Sequence, residues 1–348
     1  MPINNRPLIG ISVGDPGGIG TEVTAKALTV KEIYEICKPL VISDFRLMME
    51  AVKIAGVRLD LNRIDSKCES PAECGQYGFG TIDVLDMNNV DISRHVYKKV
   101  LAENGKSAFE CIQKVIELAM AGKIDATVTG PIHKEALNLA GFHYAGHTEI
   151  YSELTNTKDY VMMLVDDNFR IAHVSTHVSL RKACDMVKKD RILKVIELTK
   201  DMLSCLDVEN PKIAVAGLNP HAGEGGLFGD EEAKEIIPAI ESAKRLGINA
   251  QGPFPPDTVF SRAKGGEFDA VIAMYHDQGH VALKTAGFVY DKDGKWSSIS
   301  GVNVTLGLPI IRTSVDHGVA FDKAGDGIAN PQSMIQAIKL AVQLCKSR

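Results

Sequence analysis

The sequence predicts an α/β fold with a mainly parallel sheet covered by helices on both faces. Apolar runs of strand length alternate with segments of helical periodicity throughout the chain. Neither a low-complexity linker nor an internal repeat interrupts this order. The 348 residues suffice for two lobes or one large α/β unit. Any two lobes must therefore be closely joined.

In the amino-terminal half, strands and helices are predicted in alternation. The long segment Gly105–Lys123 places Phe109, Ile112, Ile116 and Ala119 on one face at helical spacing. The remaining segments are, in order, a strand at Pro7–Val13, a helix from Thr21, a strand at Pro39–Ser43, a helix at Asp44–Ala55 and a strand at Ala126–Thr129.

The carboxyl-terminal half continues the pattern. Acids in the first turn of Asp230–Leu246 favour a helix there, because they face the positive end of its dipole. Asp291–Trp296 is typical of a hairpin tip, with Asp-Gly as the turn signal. The other predicted elements are strands at Arg170–Val174, Lys212–Leu218, Ala270–Met274 and Leu308–Ile311 and a last helix at Pro331–Lys346.

The overall composition is that of an ordinary soluble enzyme. Hydrophobic residues make up 45% and charged residues 24%, and the net charge is −5 without a Lys/Arg block. We therefore expect no nucleic-acid partner and no membrane partner. Seven cysteines without a Cys-x-x-Cys pair predict reduced thiols. No signal peptide begins the chain, so we expect a cytoplasmic protein.

Three histidines each follow a predicted strand: His177, His221 and His276. The carboxyl ends of strands face the ligand crevice of open α/β sheets. Three imidazoles converging there would suit a divalent cation that keeps positions open for substrate. A histidine taken alone is more often a hydrogen-bonded structural residue than a metal ligand. The sequence does not show whether the three side chains lie close together in the fold.

A glycine-rich turn, Gly14–Gly20, joins the first strand to the first helix. It invites a dinucleotide-binding interpretation, with Asp44 at the place of a ribose-binding acid. However, the turn lacks the third small residue and contains Pro16. The alternative is a tight turn that needs glycine for positive φ.

Other polar positions could bind an anion. His147 and Thr148 open a predicted helix after Gly146, where they would meet its positive end; a plain N-cap by Thr148 is the alternative. Arg312 directly follows the predicted strand Leu308–Ile311. Its planar guanidinium can donate two parallel hydrogen bonds to a carboxylate or phosphate. Lys284 could bind an anion or remain a solvated charge.

Seven motifs in the right order resemble the 4-hydroxythreonine-4-phosphate dehydrogenase family. They cover nearly the whole chain and are Gly14–Gly20, Pro131–Glu135, Gly146–Glu149, Gly217–Gly223, Pro256–Thr258, Tyr275–Gly279 and Asn303–Gly318. Within the family, Gly226–Glu232 and Tyr275–His280 resemble the branch that acts on D-threonate or D-erythronate 4-phosphate.

The resemblance implies roles for individual residues. It implies that His177, His221 and His276 bind a divalent metal cation, which could be zinc, manganese, cobalt, nickel or magnesium. It also implies NAD as the cofactor, bound by residues that we do not name, at a site unlike the dinucleotide-binding fold. The implied substrate-binding residues are His147, Thr148, Lys284, Asn303 and Arg312. Asp257 and Asp277 match acids near the site.

The same resemblance implies an architecture. We expect two α/β/α lobes around a central cleft, like isocitrate and isopropylmalate dehydrogenases. The first lobe would comprise residues 1–140 plus 307–348, and the second residues 141–306. We also expect a homodimer whose metal ligands come from both subunits. One departure from the family is the longer segment Val289–Ser300, which bears on substrate preference.

These roles suggest an oxidation followed by a decarboxylation. The metal would lower the pKa of the substrate C3 hydroxyl, hydride would pass to NAD, and the resulting β-keto acid would lose CO2 to give dihydroxyacetone phosphate. Asp277, Lys284 and a metal-bound hydroxide are candidates for the general base.

Three alternatives stay open. One is a 4-phosphohydroxy-L-threonine dehydrogenase of pyridoxal phosphate biosynthesis, which differs in substrate alone. Another is a metal-dependent aldolase or hydrolase of sugar phosphates, which uses no nucleotide. The third is a non-catalytic module that binds a phosphorylated acid.

Overall fold

The structure is a computed structural model that describes residues 6–290, 296–299 and 301–346. The chain divides into two compact units. Unit 1 consists of Met1–Thr157 and Leu308–Lys346, and unit 2 of Lys158–Gly307. Each unit has its own apolar core. The strands that a unit contains are called its sheet and are described by themselves.

The strands agree with most of the predicted positions. Most of those whose burial is described are buried, whereas Asp60–Asp65 and Ala250–Phe254 are largely exposed or half-buried. In chain order the strands are β1 (Leu8–Ser12), β2 (Lys38–Ser43), β3 (Asp60–Asp65), β4 (Thr81–Asp86), β5 (Ala126–Thr129), β6 (Val161–Asp166), β7 (Phe169–His173), β8 (Ile213–Ala216), β9 (Ala250–Phe254), β10 (Ala270–Ala273), β11 (Phe288–Tyr290), β12 (Trp296–Ile299), β13 (Val302–Leu306) and β14 (Ile311–Val315).

The helices lie between the strands. They are α1 (Gly20–Ala27), α2 (Lys31–Ile36), α3 (Phe45–Ile54), α4 (Pro71–Cys74), α5 (Ala102–Met120), α6 (Lys134–Leu139), α7 (His147–Leu154), α8 (Leu180–Met186), α9 (Lys189–Cys205), α10 (Ile237–Arg245), α11 (Pro256–Lys264), α12 (His276–Gly287) and α13 (Gln332–Cys345). Among the residues that the structure describes, no helix is both long and apolar enough to cross a membrane.

The sheet of unit 1 is parallel throughout. Its strand order is β3-β4-β2-β1-β5-β14, and each neighbouring pair runs in the same direction. Every residue of β1 and β5 is buried. Helices α5 and α13 both pack on these two strands. Central strands of a parallel sheet are covered on both faces, which explains their continuous apolar sequence.

The sheet of unit 2 is mixed. Its order is β13-β6-β7-β10-β8-β9. Strand β6 is antiparallel to both of its neighbours, whereas β7, β10, β8 and β9 are parallel. The α/β class predicted from the sequence is confirmed, and its pairing is mainly parallel. The short turn at residues 167 and 168 between β6 and β7 leaves no room for a crossover helix, so this pair is antiparallel.

The structure corrects the position of one strand and of one helix cap. The strand predicted at Leu308–Ile311 is wrong: β14 begins at Ile311, so Arg312 lies within a strand and does not follow one. The alternative N-cap role of Thr148 is also wrong, because α7 begins at His147 and no side chain caps it. Strands β11 and β12 form the predicted hairpin, but residues 291–295 at its tip lie outside the described residues.

The expectation that all cysteines are reduced thiols is wrong for one pair. Cys68 and Cys74 form a disulfide. The short helix α4 turns the chain back, since the amide of Cys74 donates to the carbonyl of Ser70, and this brings two cysteines six positions apart together. Free cysteines among the described residues are Cys37, Cys111, Cys184, Cys205 and Cys345. Cysteine usage therefore carries no argument about cellular compartment.

Candidate functional site

In unit 2, the three predicted histidines follow three neighbouring parallel strands. His177 follows β7, His221 follows β8 and His276 follows β10. Strand β10 lies between the other two and is parallel to both. The carboxyl ends of these strands therefore share one edge of the sheet, which is where open α/β sheets bind ligands.

His177 and His276 lie close together. Their ring centroids are 5.5 Å apart, and both rings line a cavity of about 210 Å³ together with Thr176, Tyr275 and Asp277. His177 is exposed and His276 half-buried. Two of the three predicted metal-binding imidazoles thus face the same small cavity.

The acid next to His276 holds its ring. Oδ1 of Asp277 lies 2.6 Å from Nδ1 of His276, and the Asp277 side chain is 77% exposed. A carboxylate on one ring nitrogen fixes the tautomer and leaves the other nitrogen for a metal. Asp277, predicted as a candidate general base, is therefore placed to orient His276.

Two further histidines pack against this pair, and the sequence analysis missed both. The ring of His280 stacks on that of His276 at 3.7 Å, and the His173 ring lies 4.9 Å from that of His280. Burial is the main cause that lowers the pKa of His173 to about 4 and that of His280 to about 2. Both are neutral at pH 7. The spacing of His276 and His280, four apart on a helix, is the signal that could have revealed the second.

His221 is not among the described residues that line the cavity shared by His177 and His276. It lies in a turn with left-handed backbone, and its ring centroid is 6.3 Å from that of Phe228. In the described part of the chain, no three His, Cys, Asp or Glu side chains are arranged to hold a metal ion. The donor types fit a divalent cation, since one imidazole has a carboxylate-fixed tautomer. Among the described residues of one chain, His177 and His276 lie together without a third metal ligand.

Gln278 joins the strand ends that carry His221 and His276. Its Oε1 accepts from the amide of Met274 at 2.7 Å, and its Nε2 donates to the carbonyl of Gly217 at 2.9 Å. The side chain thus connects the end of β10 to the end of β8. Gln278 belongs to the Tyr275–Gly279 motif, but the sequence alone did not show that it acts as a bridge.

Lys284 and Asn303 also belong to unit 2. Lys284 is half-buried on α12, with Nζ 5.4 Å from the centroid of the Phe288 ring. Asn303 lies in β13 opposite Leu164 of β6. Its Oδ1 is buried, and no described residue donates a hydrogen bond to it. A buried amide oxygen without a hydrogen-bond donor destabilises the folded state unless a ligand or a water molecule supplies that donor.

In unit 1, Arg312 is a buried cation among hydroxyl groups. It is 3% exposed, and it donates from Nη2 to Oγ1 of Thr129 at 3.1 Å and from Nη1 to Oγ1 of Thr148 at 3.4 Å. Its guanidinium carbon lies 5.2 Å from the centroid of the Tyr151 ring. Burial is the main cause that lowers the pKa of Arg312 to about 10. The side chain stays charged at neutral pH.

His147 lies beside this cation as a neutral ring. Burial, followed by the positive charge of Arg312, holds its pKa well below the usual 6.5. Its Nε2 is shielded from solvent, and no described residue forms a hydrogen bond with it. The structure therefore gathers three of the predicted substrate-binding residues, Arg312, Thr148 and His147, into one anion-favouring group.

The dinucleotide-binding interpretation of Gly14–Gly20 is not supported at Asp44. That carboxylate caps α3 by accepting from the amide of Arg46, and it also binds the Arg46 guanidinium and the amide of Val90. Asp15, inside the turn, is fully buried, and its Oδ1 accepts from the amide of Gly17 at 2.8 Å. Burial is the main cause that raises its pKa to about 6.

Comparison with known proteins identifies the family. The family model described as pyridoxal phosphate biosynthetic protein PdxA matches residues 35–341. The chain belongs to the PdxA family. The resemblance predicted from the seven motifs is thereby confirmed.

Relatives of this PdxA chain span its full length. A protein of Clostridium botulinum is 46% identical over 98% of both chains. One of Symbiobacterium thermophilum is 47% identical over 98% of this chain and 97% of its own. Both are named as candidate D-threonate 4-phosphate dehydrogenases.

A solved structure supports the same placement. The 4-hydroxythreonine-4-phosphate dehydrogenase of Klebsiella pneumoniae is 40% identical, with a TM-score of 0.84 over 98% of both chains. All three relatives are dehydrogenases by name, and the chain is accordingly an oxidoreductase.

Proposed function

We propose that this PdxA chain oxidises and decarboxylates a four-carbon hydroxy-acid 4-phosphate in a reaction that needs NAD and a divalent metal. The substrate is D-threonate or D-erythronate 4-phosphate, and the products are dihydroxyacetone phosphate, CO2 and NADH. The observation that carries the proposal is the 46% identity, over 98% of the chain, to a relative named for D-threonate 4-phosphate. The chemistry of the described side chains supports it.

In this proposal, Arg312 binds an anionic end of the substrate. A buried guanidinium among the hydroxyl groups of Thr129 and Thr148 presents a planar fork that suits phosphate or carboxylate. His147 stays neutral, so its ring can exchange a hydrogen bond with a substrate oxygen without adding charge. Lys284 supplies a second positive charge, and Asn303 orients the substrate through its buried amide oxygen.

His177, His221 and His276 are proposed to hold the metal, and Asp277 fixes the ring of His276. When bound, a divalent cation supplies Lewis acidity to the substrate hydroxyl and to the enolate formed as CO2 leaves. Zinc, manganese, cobalt, nickel and magnesium all suit the donors. We further propose a cytoplasmic homodimer in which both subunits contribute ligands. Asp277 and Lys284 are the candidate proton acceptors among the side chains.

The deciding assay mixes purified protein with NAD, a divalent metal and each candidate acid phosphate in turn. NADH absorbance, together with dihydroxyacetone phosphate detected by a coupling enzyme, is expected with D-threonate or D-erythronate 4-phosphate. Cleavage of the carbon chain without NADH would instead identify an aldolase. Tight binding without turnover of any acid would identify a binding module.

The metal and the shared site have their own test. His221→Ala should abolish metal-dependent turnover, and full activity of that variant after exhaustive chelation would eliminate the metal role.

Single alanine variants of His177, His221 and His276 can also be mixed in pairs. Suppose that one subunit supplies two ligands of each site and its partner supplies the third. Two of the three mixtures should then recover about a quarter of wild-type activity. In those mixtures half of the randomly formed dimers contain both variants, and each of these dimers has one intact site out of two. Failure of every mixture contradicts a shared site.

A second substrate has specific support. The Klebsiella pneumoniae structure, 40% identical, is named for 4-hydroxythreonine-4-phosphate. That substrate carries an amine where D-threonate carries the C2 hydroxyl. Including 4-phosphohydroxy-L-threonine in the same assay separates the two, because the preferred substrate has the higher kcat/KM.

A further inference from the structure

The turn that carries His221 has an unusual backbone. Five consecutive residues lie in the left-handed region: His221 (φ 54°), Ala222 (φ 55°), Gly223 (φ 83°), Glu224 (φ 44°) and Gly225 (φ 67°). Left-handed conformation costs free energy for any residue with a Cβ, and three of these five have one. Such strain persists only where surrounding contacts determine the conformation.

Several of those contacts come from one buried carboxylate, that of Glu232, and a further one comes from Glu231, whose Oε2 accepts from Nδ2 of Asn219 at 2.7 Å. Glu232 is 4% exposed. Its Oε1 accepts from the amides of Leu218 and Asn219, both at 2.8 Å, and its Oε2 accepts from Nδ2 of Asn219 at 2.9 Å. Leu218 and Asn219 are the last residues before Pro220 and His221. The carboxylate therefore holds the backbone where it enters the left-handed turn.

The carboxylate also fits closely against the turn itself. A Cβ added to Gly223 would lie 2.8 Å from Oε2 of Glu232, and one added to Gly217 would lie 3.2 Å from Oε1. The backbone at Gly217, ahead of the turn, and at Gly223, within it, thus lies close to the carboxylate. Within the part of the chain that the structure describes, Glu232 makes no ion pair. A buried charge of this kind is retained only because its hydrogen bonds compensate for lost water.

The local backbone of Glu232 is itself irregular. Residues Glu232–Ile236 form a π-helical turn ahead of α10. Such turns are rare and occur mostly as single bulges at functional sites. Here the turn begins at the residue whose side chain contacts the His221 segment.

We propose that Glu232 is a positioning residue that holds the His221 imidazole in its metal-binding place by clamping the left-handed turn. This inference rests on the proposed function, in which His221 is a metal ligand. Glu232 itself touches neither metal nor substrate. It acts through the backbone amides of Leu218 and Asn219, as outer-shell residues act on metal ligands elsewhere.

Glu232→Gln tests the clamp in the full-length protein freed of metal. The glutamine amide nitrogen would face Nδ2 of Asn219 donor to donor, or leave the two backbone amides without an acceptor. Hydrogen exchange at Leu218 and Asn219 should quicken about tenfold. Cobalt titrated into the same protein should bind 10- to 100-fold more weakly, on the order seen for outer-shell substitutions. Glu241→Gln, an exposed glutamate on α10, is the matched control and should change neither measurement.

The two measurements separate the failures. If wild-type protein binds no cobalt, the proposed metal site is wrong; quicker exchange in Glu232→Gln then still supports the clamp, and equal exchange overturns it. If wild type binds cobalt and the variant binds it equally well, Glu232 does not position His221. Should Glu232→Gln fail to fold by circular dichroism, Asn219→Ala removes one of the three donors, Nδ2 of Asn219, and is expected to act in the same direction.

Discussion

The two units hold their candidate functional groups in contrasting ways. In unit 1, Arg312 is 3% exposed inside an all-parallel sheet, and its hydroxyl partners come from the same unit. In unit 2, His177 and His221 are exposed on turns beyond a mixed sheet, and two imidazoles share a cavity that no third metal-ligating side chain among the described residues completes. Burial thus fixes the proposed anion-binding group, whereas the proposed metal-binding group depends on local hydrogen bonds and on a further ligand.

Removing the buried cation should have the largest effect. Arg312→Ala is expected to lower kcat/KM by roughly 10²- to 10³-fold, because two charge-assisted hydrogen bonds to the substrate are lost. Arg312→Lys should recover only part of this loss, since lysine keeps the charge but not the fork. Steady-state kinetics with the preferred acid phosphate measure both.

Arg262→Ala is the control for this prediction. Arg262 is a half-buried arginine paired with Glu267, away from the candidate site residues, and its replacement should leave kcat/KM unchanged. A normal kcat/KM in Arg312→Ala would show that unit 1 does not bind the anionic end of the substrate.

A smaller effect is expected in unit 2 from replacing Asp277, the exposed carboxylate that contacts the His276 ring. Asp277→Asn should weaken metal binding about tenfold, because an amide holds the tautomer of His276 less firmly than a carboxylate. Calorimetric titration of the metal-free protein with zinc gives the affinity, and Asp201→Asn on α9 serves as the control. If Asp277→Asn and wild type bind zinc with equal affinity, Asp277 does not orient His276 for metal binding.

The smallest effect concerns stability and pH in unit 1. Burial raises the pKa of Asp15 to about 6, above the ordinary 3.8. Between these values the folded chain binds more protons than the unfolded one, so Asp15 destabilises the fold progressively as pH rises from about 4 to about 6. Relative to Asp15→Asn, wild type should lose on the order of 2 kcal/mol of unfolding free energy across this window.

Urea denaturation at a series of pH values measures this difference. A pH-independent difference between Asp15→Asn and wild type would place the carboxyl pKa near its ordinary value. No comparable change is expected from Glu241→Gln, because Glu241 is exposed.

Much of the scaffold could be predicted because its signals are local. Apolar runs such as Ala126–Thr129 and Ala270–Met274 became strands at nearly the predicted positions. The predicted strand-end positions of the three histidines are confirmed. The strand at Leu308–Ile311 was misplaced because Arg312 interrupts the apolar pattern that marks a strand, although the fold buries it.

The site was harder to predict because it depends on contacts between distant segments. Nothing near His173 in the sequence shows that its ring would reach His280, more than 100 positions away. Glu232 and Gln278 both lie in motifs that were recognised, yet their hydrogen bonds to residues 217–219 depend on how strand ends and helix starts pack.

By itself, the sequence determined the α/β class, the family and the residues that end each strand, because side-chain periodicity and turn chemistry act over a few positions. Only the tertiary structure decided that His177 and His276 share a cavity, that Arg312 is buried beside a neutral His147, and that the Glu232 carboxylate accepts from the backbone amides that precede His221. Distances, burial and pKa values arise from segments that meet after the chain has folded, and for that reason they could not be predicted from the sequence.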